Sequence, residues 1–140
     1  MDIIRAPLPP APRGLPGVLL PVDRLTLAKH RWHAAAADGR EFGFDLSEPL
    51  QDGIPFFHLD GVTYFIAQRP EPVLEISLAT PAESARLGWL IGNLHFSLEL
   101  APPVVRIPDD PALRQMLARE HIPFTEASHV FHPERQAHVH

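Results

Sequence analysis

The chain has 140 residues, 45% of them apolar, and a formal net charge of −5 at pH 7. That size allows one domain or two small ones, and the negative balance argues against a nucleic-acid-binding surface and against an anionic membrane. With no cysteine, disulfides, thiolate zinc sites and thiol nucleophiles are excluded, so a transition metal must be held by imidazole, carboxylate, water or the chain termini.

Residues 1–17 carry Pro7, Pro9, Pro10, Pro12, Gly14, Pro16 and Gly17. Proline fixes φ and removes backbone donors, so this stretch is expected to be extended and unordered. It has no basic start followed by an apolar run, as a secretory signal would, and no later run reaches membrane-spanning length. The expected location is the cytoplasm.

Residues 18–69 read as β. Val18 to Val22 is a short apolar run, and Leu25 and Leu27 alternate with Thr26 and Ala28. Arg31 to Ala36 and Glu41 to Leu46 flank Asp38-Gly39, which supplies the positive φ of a tight hairpin. A second unit, Ile54 to Leu59 and Val62 to Ala67, is joined by Asp60-Gly61. Short strands with frequent turns predict a small all-β domain of sandwich or barrel type. Arg69-Pro70-Glu71-Pro72 cannot continue a central strand, and the domain boundary is expected there.

The second half alternates helices with strands. Val73 to Leu78 is a strand pattern. Thr80-Pro81-Ala82-Glu83 combines an N-cap, proline at the first helical position and glutamate at the third, which predicts a helix to about Asn93. Phe96, Leu98 and Leu100 alternate, Pro102-Pro103 turns the chain, and Val104 to Ile107 follows. Asp110-Pro111 starts a second helix with Leu113, Met116 and Leu117 as its apolar stripe, and Phe124 to Val130 is the last strand. The order β-α-β-β-α-β over residues 73–131 predicts a ferredoxin-like domain, and hence an α+β protein overall. Residues 132–140 form a tail. Neither half buries much surface alone, so oligomerisation is expected to help.

Nine histidines carry what chemistry there is. His138 and His140 form a His-x-His pair in the tail, where closely spaced neutral imidazoles favour chelation of nickel, copper or zinc; a solvated terminus is the plain alternative. His95 follows a helix end, where a rigid element would fix its ring; a histidine that merely favours the helix dipole fits the same position. His121 has that same plain explanation, His30, His33 and His58 suit surface or edge-strand roles, and His129 and His132 lie between. No phosphate loop, nucleophile elbow or His-Glu-x-x-His pair is present, and the acidic residues are scattered. The inventory holds ligands without a nucleophile or acid–base pair, and no enzyme is expected.

Gly88-Trp89-Leu90-Ile91-Gly92-Asn93-Leu94-His95 resembles the UreE family, urease accessory proteins that act as nickel metallochaperones. Asp38 to Gly43, Leu50 to Gly53, Pro70 to Leu74, Asp110 to Leu117 and Phe131 to Arg135 resemble further family segments in the same order. The resemblance implies that residues 73–131 form a metal-binding, dimerising domain. It implies that His95 of both subunits shares one Ni(II) ion at the two-fold axis, with His138 and His140 completing the coordination. The ion is cargo, with Zn(II) or Cu(II) as competitors in vitro, and the implied partners are an accessory GTPase and apo-urease.

Two departures bear on the site. Leu94 stands where the family often has arginine, and Arg106 to Pro111 lacks the extra histidines of some members, which implies fewer bound ions. The rival from another class is a dimeric interaction adaptor in urease assembly, with incidental metal binding. A hydrolase on a histidine-bound metal would need a base that the sequence does not offer.

Overall fold

The structure, a computed structural model, describes residues 1–10 and 17–134. It is a mixed α+β protein with three sheets and three helices. The chain divides into two compact units, Met1–Arg69 and Pro70–His140, each with its own core.

The first unit contains β1 (Asp2–Ile4), β2 (Gly17–Val22), α1 (Arg24–Leu27), β3 (Arg31–Ala35), β4 (Glu41–Asp45), β5 (Pro55–Leu59) and β6 (Val62–Gln68). They form two three-stranded sheets, ordered β1-β4-β3 and β2-β6-β5. The hairpins turn at Gly39 and at Asp60-Gly61, and all three residues hold a positive φ (90°, 51° and 79°). Phe42, Phe44, Phe56 and Tyr64 share the core with Leu20 and Ile66. Tyr64 donates its hydroxyl to the Asp38 carboxylate, which ties the first hairpin turn to β6 and holds the Asp38 pKa below the ordinary carboxylate value.

Three expectations change here. Asp2–Ile4, placed by the sequence in an unordered stretch, is a strand paired in parallel with β4. Ile4 is buried and Asp2 accepts two hydrogen bonds from Arg40, which offset the ordering cost of the end. Leu25 and Leu27 lie on a single helical turn rather than a strand. The Asp23 carboxylate accepts from the Thr26 amide at 3.0 Å, and this N-cap turns the chain so that only Leu27 is buried. The unit is therefore not strictly all-β. The third change is that β2 pairs in parallel with β6, a long-range match that hairpin signals do not report.

The second unit contains β7 (Glu71–Ser77), α2 (Pro81–Asn93), β8 (Glu99–Ala101), β9 (Val104–Pro108), α3 (Pro111–Arg119) and β10 (Thr125–His129). Its four-stranded sheet is antiparallel throughout, in the order β10-β7-β9-β8. Leu74, Ile76, Val105 and Ile107 face the helices, where Leu87, Leu90, Ile91, Leu113, Met116 and Leu117 close the core. Phe96 and Leu98, expected on a strand, precede β8 and pack against that core.

The opposite face of this sheet carries an ion-pair network. Arg106 of β9 donates to Glu75 of β7 at 2.9 Å and lies 3.7 Å from Glu99 of β8. The chain leaving β10 then travels from one edge of the sheet to the other. His129 pairs with Glu71 at the β10 edge, the His132 amide points at the Glu99 carboxylate at 3.4 Å, and the Glu134 amide donates to the Leu98 carbonyl at 2.7 Å. Phe131, midway along this crossing, is fully buried. No helix among the described residues is long and apolar enough to cross a membrane.

Candidate metal site

The position of His95 is set at the other end of its helix. Thr80 is extended, with φ −79° and ψ 158°, and its hydroxyl accepts the Glu83 amide at 3.2 Å. Pro81 follows at the first helical position, where no intrahelical donor is lost. The helix so started runs 13 residues and buries Leu87, Leu90 and Ile91. That register leaves Gly88, Trp89 and Gly92 on the sides turned away from the core.

At its C-terminus the helix unwinds through His95, which takes a left-handed φ of 61°. The His95 amide donates to Gly92 at 3.0 Å and the Phe96 amide to Ile91 at 3.4 Å. These paired bonds form a Schellman motif, and Phe96 tucks beside Ile91 in the core. Glycine ordinarily occupies the left-handed position, because a Cβ there costs about 1–2 kcal/mol. Here an imidazole occupies it, exposed to solvent.

The helix leading to His95 exposes apolar residues and open glycines. Trp89 is 65% exposed and Leu94 36%, and a Cβ built on Gly88 or Gly92 would meet nothing within 4 Å. There is no basic residue in the last turn of α2. A large exposed tryptophan beside two bare glycines is an unusual surface for a lone small domain and suits contact with another protein surface.

The remaining histidines are dispersed. His121 ends α3 in the same left-handed conformation, φ 56°. His129 lies 3.8 Å from Glu75. In the first unit His30 Nδ1 is 3.0 Å from the Leu46 carbonyl and His58 Nδ1 is 2.9 Å from the Thr63 hydroxyl. His138 and His140 lie outside the described residues. Among the described residues no three histidines or carboxylates stand close enough together to hold a metal ion. The described residues of one copy expose His95 and do not surround it with further ligands. The sequence pointed to the residue and missed its backbone state, since nothing in Gly-Asn-Leu-His marks the last residue as left-handed.

A cavity of about 470 Å³ lies elsewhere in the second unit, lined by Glu83, Ser84, Arg86, Glu120, His121 and Thr125 among others. Arg86 donates to Glu120 there and lowers its pKa. His95 does not line it.

The profile of the UreE urease accessory protein C-terminal domain matches residues 71–140, half of the chain. The chain belongs to the UreE family. A urease accessory protein UreE from Nitrosococcus oceani is 31% identical over 102 residues, covering 71% of this chain and 61% of that protein. The UreE of Acinetobacter baumannii strain AYE is 28% identical over 116 residues, covering 81% of this chain and 72% of its own. That of Polaromonas naphthalenivorans is 31% identical over 121 residues, covering 82% of this chain and 58% of its own. The match thus spans about three-fifths of the length of two of these three UreE proteins.

Proposed function

We propose that this protein is a nickel-binding metallochaperone that delivers Ni(II) for assembly of the urease active site. The observation that carries the reading is His95: a solvent-exposed imidazole held in a strained left-handed position at the end of a rigid helix, beside an uncovered apolar face. Strain of this kind is retained where surrounding structure over-determines it, and it clusters at functional positions. Family membership adds the urease-assembly context.

In this reading the second unit is a ferredoxin-like domain that dimerises through the α2 face bearing Gly88, Trp89 and Gly92. Two-fold symmetry then sets His95 of both copies against one ion. The first unit is a β domain, and the protein's partners are an accessory GTPase and apo-urease in the cytoplasm. The protein itself is a carrier and not an enzyme.

His138 and His140 are the proposed remaining ligands. The Glu134 amide is bonded to the Leu98 carbonyl, and Leu98 is three residues from His95. An extended chain covers roughly 3.5 Å per residue, so His138 and His140 can travel roughly 14 and 21 Å from Glu134, while His95 lies within roughly 10 Å of Leu98 along the chain. The tail therefore has the reach to close over an ion at His95 and to release it.

Imidazole binds metal only when neutral, so protons compete for it. Affinity for nickel should therefore fall on acidification. Calorimetry at pH 7.5 and 5.5 checks this, and equal affinity at the two values would count against imidazole ligation.

The decisive test is His95→Ala, read by nickel calorimetry and by activation of nickel-dependent urease. Loss of both supports the carrier. The exposed Trp89 also suits a dimeric adaptor whose metal binding is incidental. If His95→Ala activates urease as well as the parent while Trp89→Glu does not, the adaptor explains the protein and the carrier fails.

A further inference from the structure

The four-stranded sheet of the second unit has two edges, and the chain treats them differently. The β8 edge is three residues long, and the returning chain bonds to the residue just before it, where the Glu134 amide donates to the Leu98 carbonyl. The β10 edge is five residues long, and Thr125, Glu126, Ser128 and His129 are exposed along it. Among the described residues β10 pairs with β7 alone, so alternate residues turn their amides and carbonyls outward without a strand to meet them. Such an edge is ordinarily guarded by lysine, proline, a bulge or a cover. β10 contains neither lysine nor proline, and its register with β7 runs unbroken from Thr125 to His129. Its carboxylate is drawn inward, because Glu126 accepts a hydrogen bond from Arg114 of α3 at 2.7 Å.

We infer that the β10 edge pairs with β10 of a second copy of this chain, antiparallel about Ala127, so that the two sheets join edge to edge. A two-fold contact must be complementary to itself, and Thr-Glu-Ala-Ser-His meets that condition in one register. With Ala127 on the axis, the residue that faces its own copy is small. Glu126 then faces the partner's Ser128, whose hydroxyl can donate to the carboxylate, and Thr125 faces the partner's His129. One residue further out, Phe124 faces the partner's Val130, apolar against apolar. Centring the pair on Glu126 instead sets carboxylate against carboxylate, and centring it on Ser128 sets Glu126 against the partner's Val130. This match with itself is what favours a second copy over a foreign strand. An edge so short buries less than the roughly 1,600 Å² of a standard interface, so the contact is weak and adds to a dimer made elsewhere. With the α2 face of the carrier reading it makes a dimer of dimers, although nothing that supports the β10 pairing depends on that reading.

The test is sedimentation equilibrium of the full-length protein over a range of concentrations, with two opposed substitutions at Ser128. Ser128→Glu sets carboxylate against carboxylate twice in the symmetric pair and should weaken the association about tenfold. Ser128→Lys sets an ammonium against each Glu126 and should strengthen it by a similar factor, although lysine on an edge ordinarily repels other strands. Ser128 is exposed, so both variants should keep the fold, and circular dichroism melts check that they do. Each is also made with Trp89→Glu, which disrupts the α2 contact of the carrier reading. The opposed shifts should then appear in a monomer–dimer equilibrium, where the parent background shows them between dimer and tetramer. Two variants that weaken association alike, or that leave it unchanged in both backgrounds, would overturn the inference. If Trp89→Glu alone leaves the mass unchanged, the α2 dimer of the carrier reading fails, and the opposed shifts at Ser128 still decide the β10 pairing.

Discussion

The two helices of the second unit end alike and face different surroundings. Each terminates in a Schellman motif with a left-handed histidine: His95 after α2, and His121 after α3, where His121 donates to Ala118 at 3.2 Å and Ile122 to Leu117 at 2.9 Å. Each begins with an extended N-cap and a proline. The difference lies around the rings. His121 follows Glu120, which is paired with Arg86 and close to Arg119. His95 follows, along the chain, Trp89, Leu94 and two bare glycines, with no charged residue in the last turn. Backbone strain alone therefore does not mark a site; the proposed site rests on that strain together with an open, uncharged face.

Replacing each histidine with glycine breaks the pair most clearly. Under the proposed shared site, His95→Gly should weaken nickel binding roughly 100-fold, because two imidazoles would leave the ion at once, whereas His121→Gly should leave it unchanged. Calorimetry on the two variants decides this, and equal losses would dissolve the distinction between the two ends. The next effect is on stability. Ile91 and Leu117, the fully buried residues that accept the outer bond of each motif, should each cost about 3 kcal/mol when changed to alanine. Urea denaturation should show the two costs to be alike, since the motifs are alike.

The glycine variants carry a smaller effect of opposite sign. Both should gain about 1 kcal/mol from relief of the left-handed strain, so His95→Gly is expected to be a more stable protein that binds less metal. The smallest effect concerns acid. The hydrogen bond from Arg86 holds the Glu120 pKa below its ordinary 4.5, so the unfolded chain takes up a proton there first. The stability this pair contributes is complete above pH 4.5 and is lost as pH falls through the lower, folded value. Arg86→Ala should flatten that acid limb without touching nickel binding, and melts across pH 6 to 3 would show it.

What the sequence disclosed follows from the range of the forces involved. Thr80-Pro81 and Asp110-Pro111 announce their helices because capping acts over three residues. Asp38-Gly39 and Asp60-Gly61 announce hairpins because a positive φ selects glycine or a short polar residue. Arg69-Pro70 announces a break for a similar local reason. The parallel pairs β1–β4 and β2–β6 were not legible, because their partners are distant and leave no periodic trace. Nor was α1, where Asp23 turns a stretch whose leucines alternate like a strand. At the site, His95 was legible as a candidate from its place after a helix and from the family resemblance. Its left-handed backbone, and the crossing through Phe131 that returns the chain toward it, depend on contacts that no local pattern encodes.

The parallel pairs of the first unit also have a consequence in time. Asp2 finds its partner at Phe42, and Val18 finds its own at Tyr64. Pairings this distant must close long loops before any bond rewards them, and such topologies fold slowly. A ribosome makes β1 before β4 and β2 before β6, so both strands must wait for partners synthesised later and are among the last to be seated. The exposed Ile3 and Leu19 are then unpaired strand residues during that wait, so the vulnerable interval for misassociation belongs to the first unit rather than to the second.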